Sequence, residues 1–207
     1  MAASKSGFMK DALVLFAITL VSGLCLGFVY DLTKDPIAQA TIDKNNRTYQ
    51  EVLASASSFT EVEGSAEKIA EITNSGELAG LGYGGVAIES VLVGSDASGA
   101  AVGYVINSLS NDSYGGAVKI SVGFDASGTI TGVGIREIND TPGLGLKAKE
   151  PAFKDQYIGK NETALTVTKM GASASNEIDA ISGATVTSNA TTNAVNAALY
   201  YLHNCLN

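Results

Sequence analysis

The sequence predicts an α+β protein: a single N-terminal transmembrane helix followed by a domain of antiparallel β-hairpins packed with helices. Three observations predict it. Residues 12–30 carry no charge, over a length sufficient for a helix to cross the hydrocarbon core of a bilayer. Two copies of Asp-Ala-Ser-Gly, at 96–99 and 125–128, each stand between apolar runs rich in valine and isoleucine, the pattern of strand, tight turn and returning strand. Near the C-terminus Ala194, Val195, Ala198, Leu199 and Leu202 recur at helical spacing.

A chain of 207 residues has room for one domain of ordinary size and an appendage. Its net charge of −8, from 21 acidic against 13 basic residues, argues against nucleic acid as a partner, which requires a basic face. Cys25 and Cys205 lie at opposite ends of the chain and are poor disulfide candidates. The lone histidine, His203, offers no partner set for a hydrolytic triad or a histidine-based metal site, no cysteine pair has metal-ligand spacing, and nothing in the sequence pairs two of the scattered carboxylates for acid–base work. No catalytic residue is assigned.

At the N-terminus, residues 1–11 read as a cytoplasmic stub and 12–30 as the transmembrane helix. Lys5 and Lys10 precede the span, which predicts a cytoplasmic N-terminus and an extracytoplasmic remainder. A cleaved signal peptide would have a shorter apolar region, although Ala38-Gln39-Ala40 offers a cleavage-like pattern. A core helix would rarely be apolar on all sides. A pilin-like reading rests on Lys5-Ser6-Gly7-Phe8 ahead of the apolar helix, but the acid it requires five residues after the glycine is replaced by Ala12, with Asp11 one position early.

Residues 31–60 read as a juxtamembrane helix opened by Pro36, with Tyr49, Leu53 and Ala56 on its core side. The domain proper is expected over 61–207. The glycine-rich stretch 78–85 precedes β-branched residues rather than a helix, so it reads as a loop and not as a nucleotide cradle. Strands are expected over 87–93 and 118–124, flanking the two Asp-Ala-Ser-Gly turns, and the alternation of Val118, Ile120, Val122 and Phe124 predicts one buried face. Residues 151–160 read as a short helix or loop and 165–168 as a strand.

Three segments are candidates for a site. In Asp179-Ala-Ile-Ser-Gly-Ala-Thr-Val-Thr-Ser188, the small residues Gly183 and Ala184 stand beside the hydroxyls of Ser182, Thr185, Thr187 and Ser188, directly ahead of a helix. A helix start leaves backbone N–H groups without partners and carries the positive end of the dipole, so it suits a phosphate. The same residue types are also the ordinary vocabulary of helix N-caps. The second segment, Thr141-Pro-Gly-Leu-Gly-Leu-Lys147, fits a type II turn with Pro142 and Gly143 at its centre and leaves backbone bare for a flat ring. The third is Tyr114-Gly115-Gly116, ahead of a strand.

Asp-x-x-Ser-Gly-Ala-Thr followed by x-Thr-Ser resembles the flavinylation motif of the FMN-binding domain family, and Thr-Pro-Gly-Leu-Gly with Tyr-Gly-Gly is similar to segments of the members found in Rnf-type electron transport complexes. The resemblance covers the chain from about residue 78 to its end. It implies that Thr185 carries FMN through a phosphodiester installed by an FAD-dependent flavin transferase, with Asp179 serving the transferase's metal and donors around Ser182, Gly183, Ala184 and Thr187 holding the phosphate. It further implies that Thr141, Pro142, Gly143, Leu144 and Gly145 pack on the isoalloxazine, with Lys147 near negative charge and Tyr114, Gly115 and Gly116 beside it. One departure is Asp140, where a glutamate is commoner; it keeps the charge with a shorter reach.

By the same resemblance the chain is expected to be of the G type among the subunits of an inner-membrane complex that passes electrons between ferredoxin and NAD while moving Na⁺ or H⁺. It would be a redox subunit and not a stand-alone catalyst. The related C type, from Na⁺-pumping NADH:quinone oxidoreductases, shares the motif and is the alternative within the family; a stand-alone flavoprotein is the alternative outside the complex. Expected partners are the other subunits of the complex, the flavin transferase during maturation, and membrane lipid.

Overall fold

The computed structural model describes residues 5–206; residues 1–4 of the expected cytoplasmic stub and residue 207 lie outside it. Two compact units are present, Met1–Lys44 and Asn45–Asn207. The first consists of most of one long helix, α1 (Lys5–Val52). Its apolar side chains are bare: Leu13, Phe16, Leu24 and Phe28 are each more than 60% exposed. A core helix of a water-soluble domain would bury them; this stretch is long and apolar enough to cross a membrane.

The helix expected to open at Pro36 is not a separate element. α1 continues through Pro36 to Val52 because the proline removes only one intrahelical donor, and on an exposed helix the carbonyl it would have served is not sealed in a core. The helix also ends before residue 57. Leu53 and Ala56 turn inward, Ser57 donates its N–H to the carbonyl of Ser95 at 2.7 Å, and β1 (Ser58–Glu61) follows as a strand. Residues 45–60 therefore belong to the second unit and not to a segment outside it.

That unit is built on an antiparallel sheet in the order β1, β2 (Val86–Ser95), β3 (Ala101–Ser113), β4 (Gly116–Asp125) and β5 (Ile130–Glu137). Between β1 and β2 lie α2 (Ser65–Ser75) and the short α3 (Glu77–Gly80). Both Asp-Ala-Ser-Gly turns form alike. Asp96 Oδ1 accepts from the N–H and hydroxyl of Ser98 and the N–H of Ala100, and Asp125 Oδ1 accepts from the same three groups of Ser127 and Thr129. The serine hydroxyl first, then the backbone donors, holds each carboxyl below its ordinary range. Gly99 and Gly128 take positive φ, 87° and 82°, which completes the turn without a Cβ penalty.

The expectation of one buried face is corrected, because both faces of β4 are covered. Val118, Ile120, Val122 and Phe124 are fully buried in the larger core. That core is closed by α5 (Thr185–Tyr201), by α4 (Pro151–Lys154) and by the parallel pair β6 (Thr166–Thr168) and β7 (Glu177–Asp179). On the other face Tyr49, Val52, Leu53 and Ala56 pack with Val105 in a second cluster, and Asn107 bonds Tyr49 Oη, Ser90 Oγ and Ser121 Oγ. Glycines make this approach possible. A Cβ on Gly123 would stand 2.2 Å from the carbonyl oxygen of Val52, which itself accepts a bond from Thr131 at 2.5 Å. Gly123→Ala is expected to cost about 1–3 kcal/mol, as overpacking does in a filled core, read as a lower midpoint in urea unfolding at unchanged slope.

Candidate functional site

α5 is placed by buried polar ties as well as by packing. Its alanines Ala190, Ala194, Ala197 and Ala198 are at most 1% exposed, so the helix lies close on the sheet. Ser108 of β3 donates to the carbonyl of Ala194 at 2.8 Å, and Thr192 meets the hydroxyl of Tyr157 at 2.8 Å. Asn196 bonds both the N–H and the carbonyl of Leu165. Burial drives the Tyr157 phenol well above its ordinary range despite the bond from Thr192.

The helix begins at Thr185, so the last residues of the motif lie inside its first turn. No side chain caps it: Ala184, at φ −135° and ψ 46°, holds the cap position without a hydrogen bond from a side chain. The capping alternative is therefore not what the hydroxyls do. Ser188 braces the loop instead, accepting from the N–H of Ile181 at 2.9 Å and donating to the carbonyl of Ala184 at 3.0 Å. The first-turn N–H groups at Thr185, Val186 and Thr187 have no intrahelical acceptor by the geometry of any α-helix, and in a helix of 17 residues the dipole adds to their pull on an anion.

Beside this helix start lies a cavity of about 580 Å³, within the range typical for small-molecule sites. It is lined by Tyr114, Asp140, Thr141, Leu144, Gly145, Gly183, Ala184, Thr185, Val186 and Thr187. All three candidate segments thus converge. The Thr141 turn closes with a bond from Leu144 N–H to the carbonyl of Thr141 at 3.2 Å, and Gly143 has φ 75°, as a type II turn requires. Gly183, also at positive φ, lies so near Leu144 that a Cβ would stand 3.1 Å from its Cδ2. Tyr114, Leu144 and Val186 are 78%, 44% and 52% exposed, and each lines the cavity, so its walls offer apolar surface that the protein itself leaves uncovered.

Not every expected residue lines this cavity. Asp179 and Lys147 line a second, smaller pocket of about 340 Å³ with Glu150, Phe153, Gln156 and Ile181. There the Asp179 carboxylate accepts from the N–H of Ala172 at 2.6 Å. Ser182 is exposed outside the cavity, Pro142 and Gly143 are exposed at the centre of their turn, and Gly115 and Gly116, which follow Tyr114, are exposed and do not line the cavity.

Two lining residues escape the sequence reading. Val186 carries no signal beyond its place in the motif. Asp140 stands out in the sequence only as a departure, yet it is 5% exposed and central. Its Oδ2 accepts from Ser113 Oγ at 2.6 Å and from Thr187 Oγ1, and its Oδ1 from the N–H of Gly115 at 2.5 Å. Burial pushes this carboxyl up, but the three donors outweigh it and hold it below the usual carboxylate range.

The donor set fits a flavin mononucleotide. An uncapped helix start beside small residues suits the phosphate, and the apolar walls at Tyr114, Leu144 and Val186 suit a flat ring. Comparison with known proteins agrees. Residues 113–200 match the FMN-binding domain family. The chain is 35% identical over 198 residues to the G subunit of the Na(+)-translocating ferredoxin:NAD(+) oxidoreductase complex of Acetobacterium woodii, covering 94% of this chain and 91% of that one. It is 29% identical to the G subunit of the proton-translocating ferredoxin:NAD(+) oxidoreductase complex of Clostridium ljungdahlii, covering 92% of each. Among solved structures, the C subunit of the Na(+)-translocating NADH-quinone reductase of Parabacteroides distasonis shares the fold with a TM-score of 0.53 at 20% identity, over 79% of this chain and 93% of that one.

Proposed function

The chain belongs to the family of G subunits of ion-translocating ferredoxin:NAD(+) oxidoreductase complexes, and on that premise we propose that it is the electron-carrying subunit of such a membrane complex, with FMN held covalently by Thr185. The observation that supports this most is the placement of Thr185 at the uncapped start of α5, on the wall of a cavity walled by apolar surface. A bound flavin supplies the redox chemistry, and the protein binds, orients and tunes it. It acts within the complex and not as a stand-alone catalyst.

Each residue then has a physical task. The N–H groups of the first turn of α5 would hold the phosphate. Gly183 and Ala184 would leave room beside it, and Leu144, Tyr114 and Val186 offer the apolar surface that would take the ring. During maturation an FAD-dependent transferase joins the Thr185 oxygen to the FMN phosphorus; the pyrophosphate bond of FAD breaks, AMP leaves, and the hydroxyl proton is released. Among the motif hydroxyls, Thr187 already donates to Asp140 and Ser188 to Ala184, whereas Thr185 is half-buried on the cavity wall.

In this reading residues 12–30 of α1 cross the inner membrane once, Lys5 and Lys10 keep the N-terminus cytoplasmic, and the domain lies on the opposite side, in contact with the other subunits. The coupling ion is Na⁺ or H⁺. The test is the intact mass of the full chain produced with and without the transferase. Production with it should add one FMN less one water, fluorescent in a denaturing gel and mapped to the peptide carrying Thr185. An unmodified chain, or one shortened after Gly7, would instead favour the pilin-like alternative.

A further inference from the structure

We propose that Asp140 is the positioning residue of this site: by taking hydrogen bonds from Ser113, Gly115 and Thr187 it locks three chain segments together and sets the rotation at which α5 presents Thr185. The inference rests on Thr185 being the attachment point.

The three donors come from two places, the β3–β4 connection and α5, and Asp140's own segment is the third. Ser113 ends β3, Gly115 lies in the loop that carries Tyr114, and Thr187 stands in the first turn of α5. Asp140 itself opens the Thr141 turn. One carboxylate therefore joins every segment that lines the cavity. The backbone has been shaped around it. A Cβ on Gly145 would stand 2.5 Å from Asp140 Oδ2, and one on Gly115 would stand 2.3 Å from the carbonyl oxygen of Asn139 and 2.8 Å from Asp140 Oδ1, so Asp140 and the residue before it close both positions to a side chain.

Rotation of the helix is the consequence that matters. Thr187 is turned inward to Asp140, at 1% exposure, and Thr185, half-buried, lines the same cavity at the helix start, so the bond that fixes Thr187 also fixes the rotation of the turn that carries Thr185. The bond to Thr187 is charge-assisted and desolvated, which makes it more directive than a surface bond between neutral groups. Position 187 accordingly needs a hydroxyl and not merely a side chain of that size.

The test uses full-length wild type, Asp140→Asn, Thr187→Val and Thr187→Ser, purified unmodified and then treated with the transferase, FAD and Mg²⁺. Covalent flavin is followed by intact mass, counted only on protein shown to be folded by its unfolding transition. Asp140→Asn and Thr187→Val are expected to load at least tenfold more slowly, and Thr187→Ser at close to the wild-type rate, since it restores the donor. A role in stability alone would change the amount of folded protein without separating valine from serine in the rate per folded molecule. Should Asp140→Asn fail to fold, the two Thr187 variants decide. Equal loading rates for Thr187→Val and wild type overturn the proposal and leave Thr185 attachment standing; a wild-type chain that takes no flavin overturns the attachment reading instead.

Discussion

Thr185→Ala is expected to carry no covalent flavin at all, while Thr185→Ser carries it. On the proposed linkage the effect is complete, because it removes the oxygen from which the phosphodiester would be made, and no other hydroxyl of the 179–188 motif stands ready to replace it. Thr187 and Ser188 are buried with their protons committed to Asp140 and to the Ala184 carbonyl. Ser182 is exposed and does not line the cavity. Loss of fold is not a competing explanation. Thr185 is half-buried at the first position of α5 and contributes no cap. Its replacement by the best helix former should change stability by no more than about 0.5 kcal/mol. The measurement is intact mass together with fluorescence in a denaturing gel, and an adduct that persists on Thr185→Ala would place the attachment elsewhere.

What was legible in the sequence was local. The two Asp-Ala-Ser-Gly turns announce themselves because an aspartate folding its carboxylate back onto the next few N–H groups is a contact within five residues. Thr141-Pro-Gly-Leu likewise carries its turn type in its own letters. The motif at 179–188 combines small residues, hydroxyls and a helix start, the features that suit a phosphate.

The parts that stay hidden depend on distant segments. Asp140 reaches Ser113 and Thr187, 27 and 47 residues away, and no periodicity marks a side chain that ties three loops together. The second core is hidden for a related reason. Gly123, Gly132 and Gly134 carry no side chain to signal a buried face, yet they are the flat ground on which Thr48 and Val52 rest. Pro36 misleads in the opposite direction, since a proline that commonly opens helices sits here within one.

Gly145→Val is expected to slow flavin loading by about 10–100-fold, the equivalent of a misfit of 1–3 kcal/mol, with the sheet and its second core intact. Gly145 is buried against the Asp140 side chain, and its added Cβ would stand 2.5 Å from Asp140 Cβ and 2.7 Å from Thr187 Oγ1. Asp140 cannot simply swing away, because its oxygens are held by Ser113, Gly115 and Thr187. Either the Thr141 turn lifts or the first turn of α5 shifts, and both displace the walls that would grip the cofactor. The cluster of Tyr49, Val52, Leu53 and Ala56 lies on the other face of the sheet, so cooperative unfolding should survive. Gly143 supplies the contrast: it has φ 75° but open space around its Cβ position. Gly143→Ala therefore bears only the backbone cost of about 1–2 kcal/mol for a left-handed alanine, at the exposed centre of the turn, and should load close to normally. If Gly145→Val loads at the wild-type rate while remaining folded, the cavity beside α5 is not where the flavin is held.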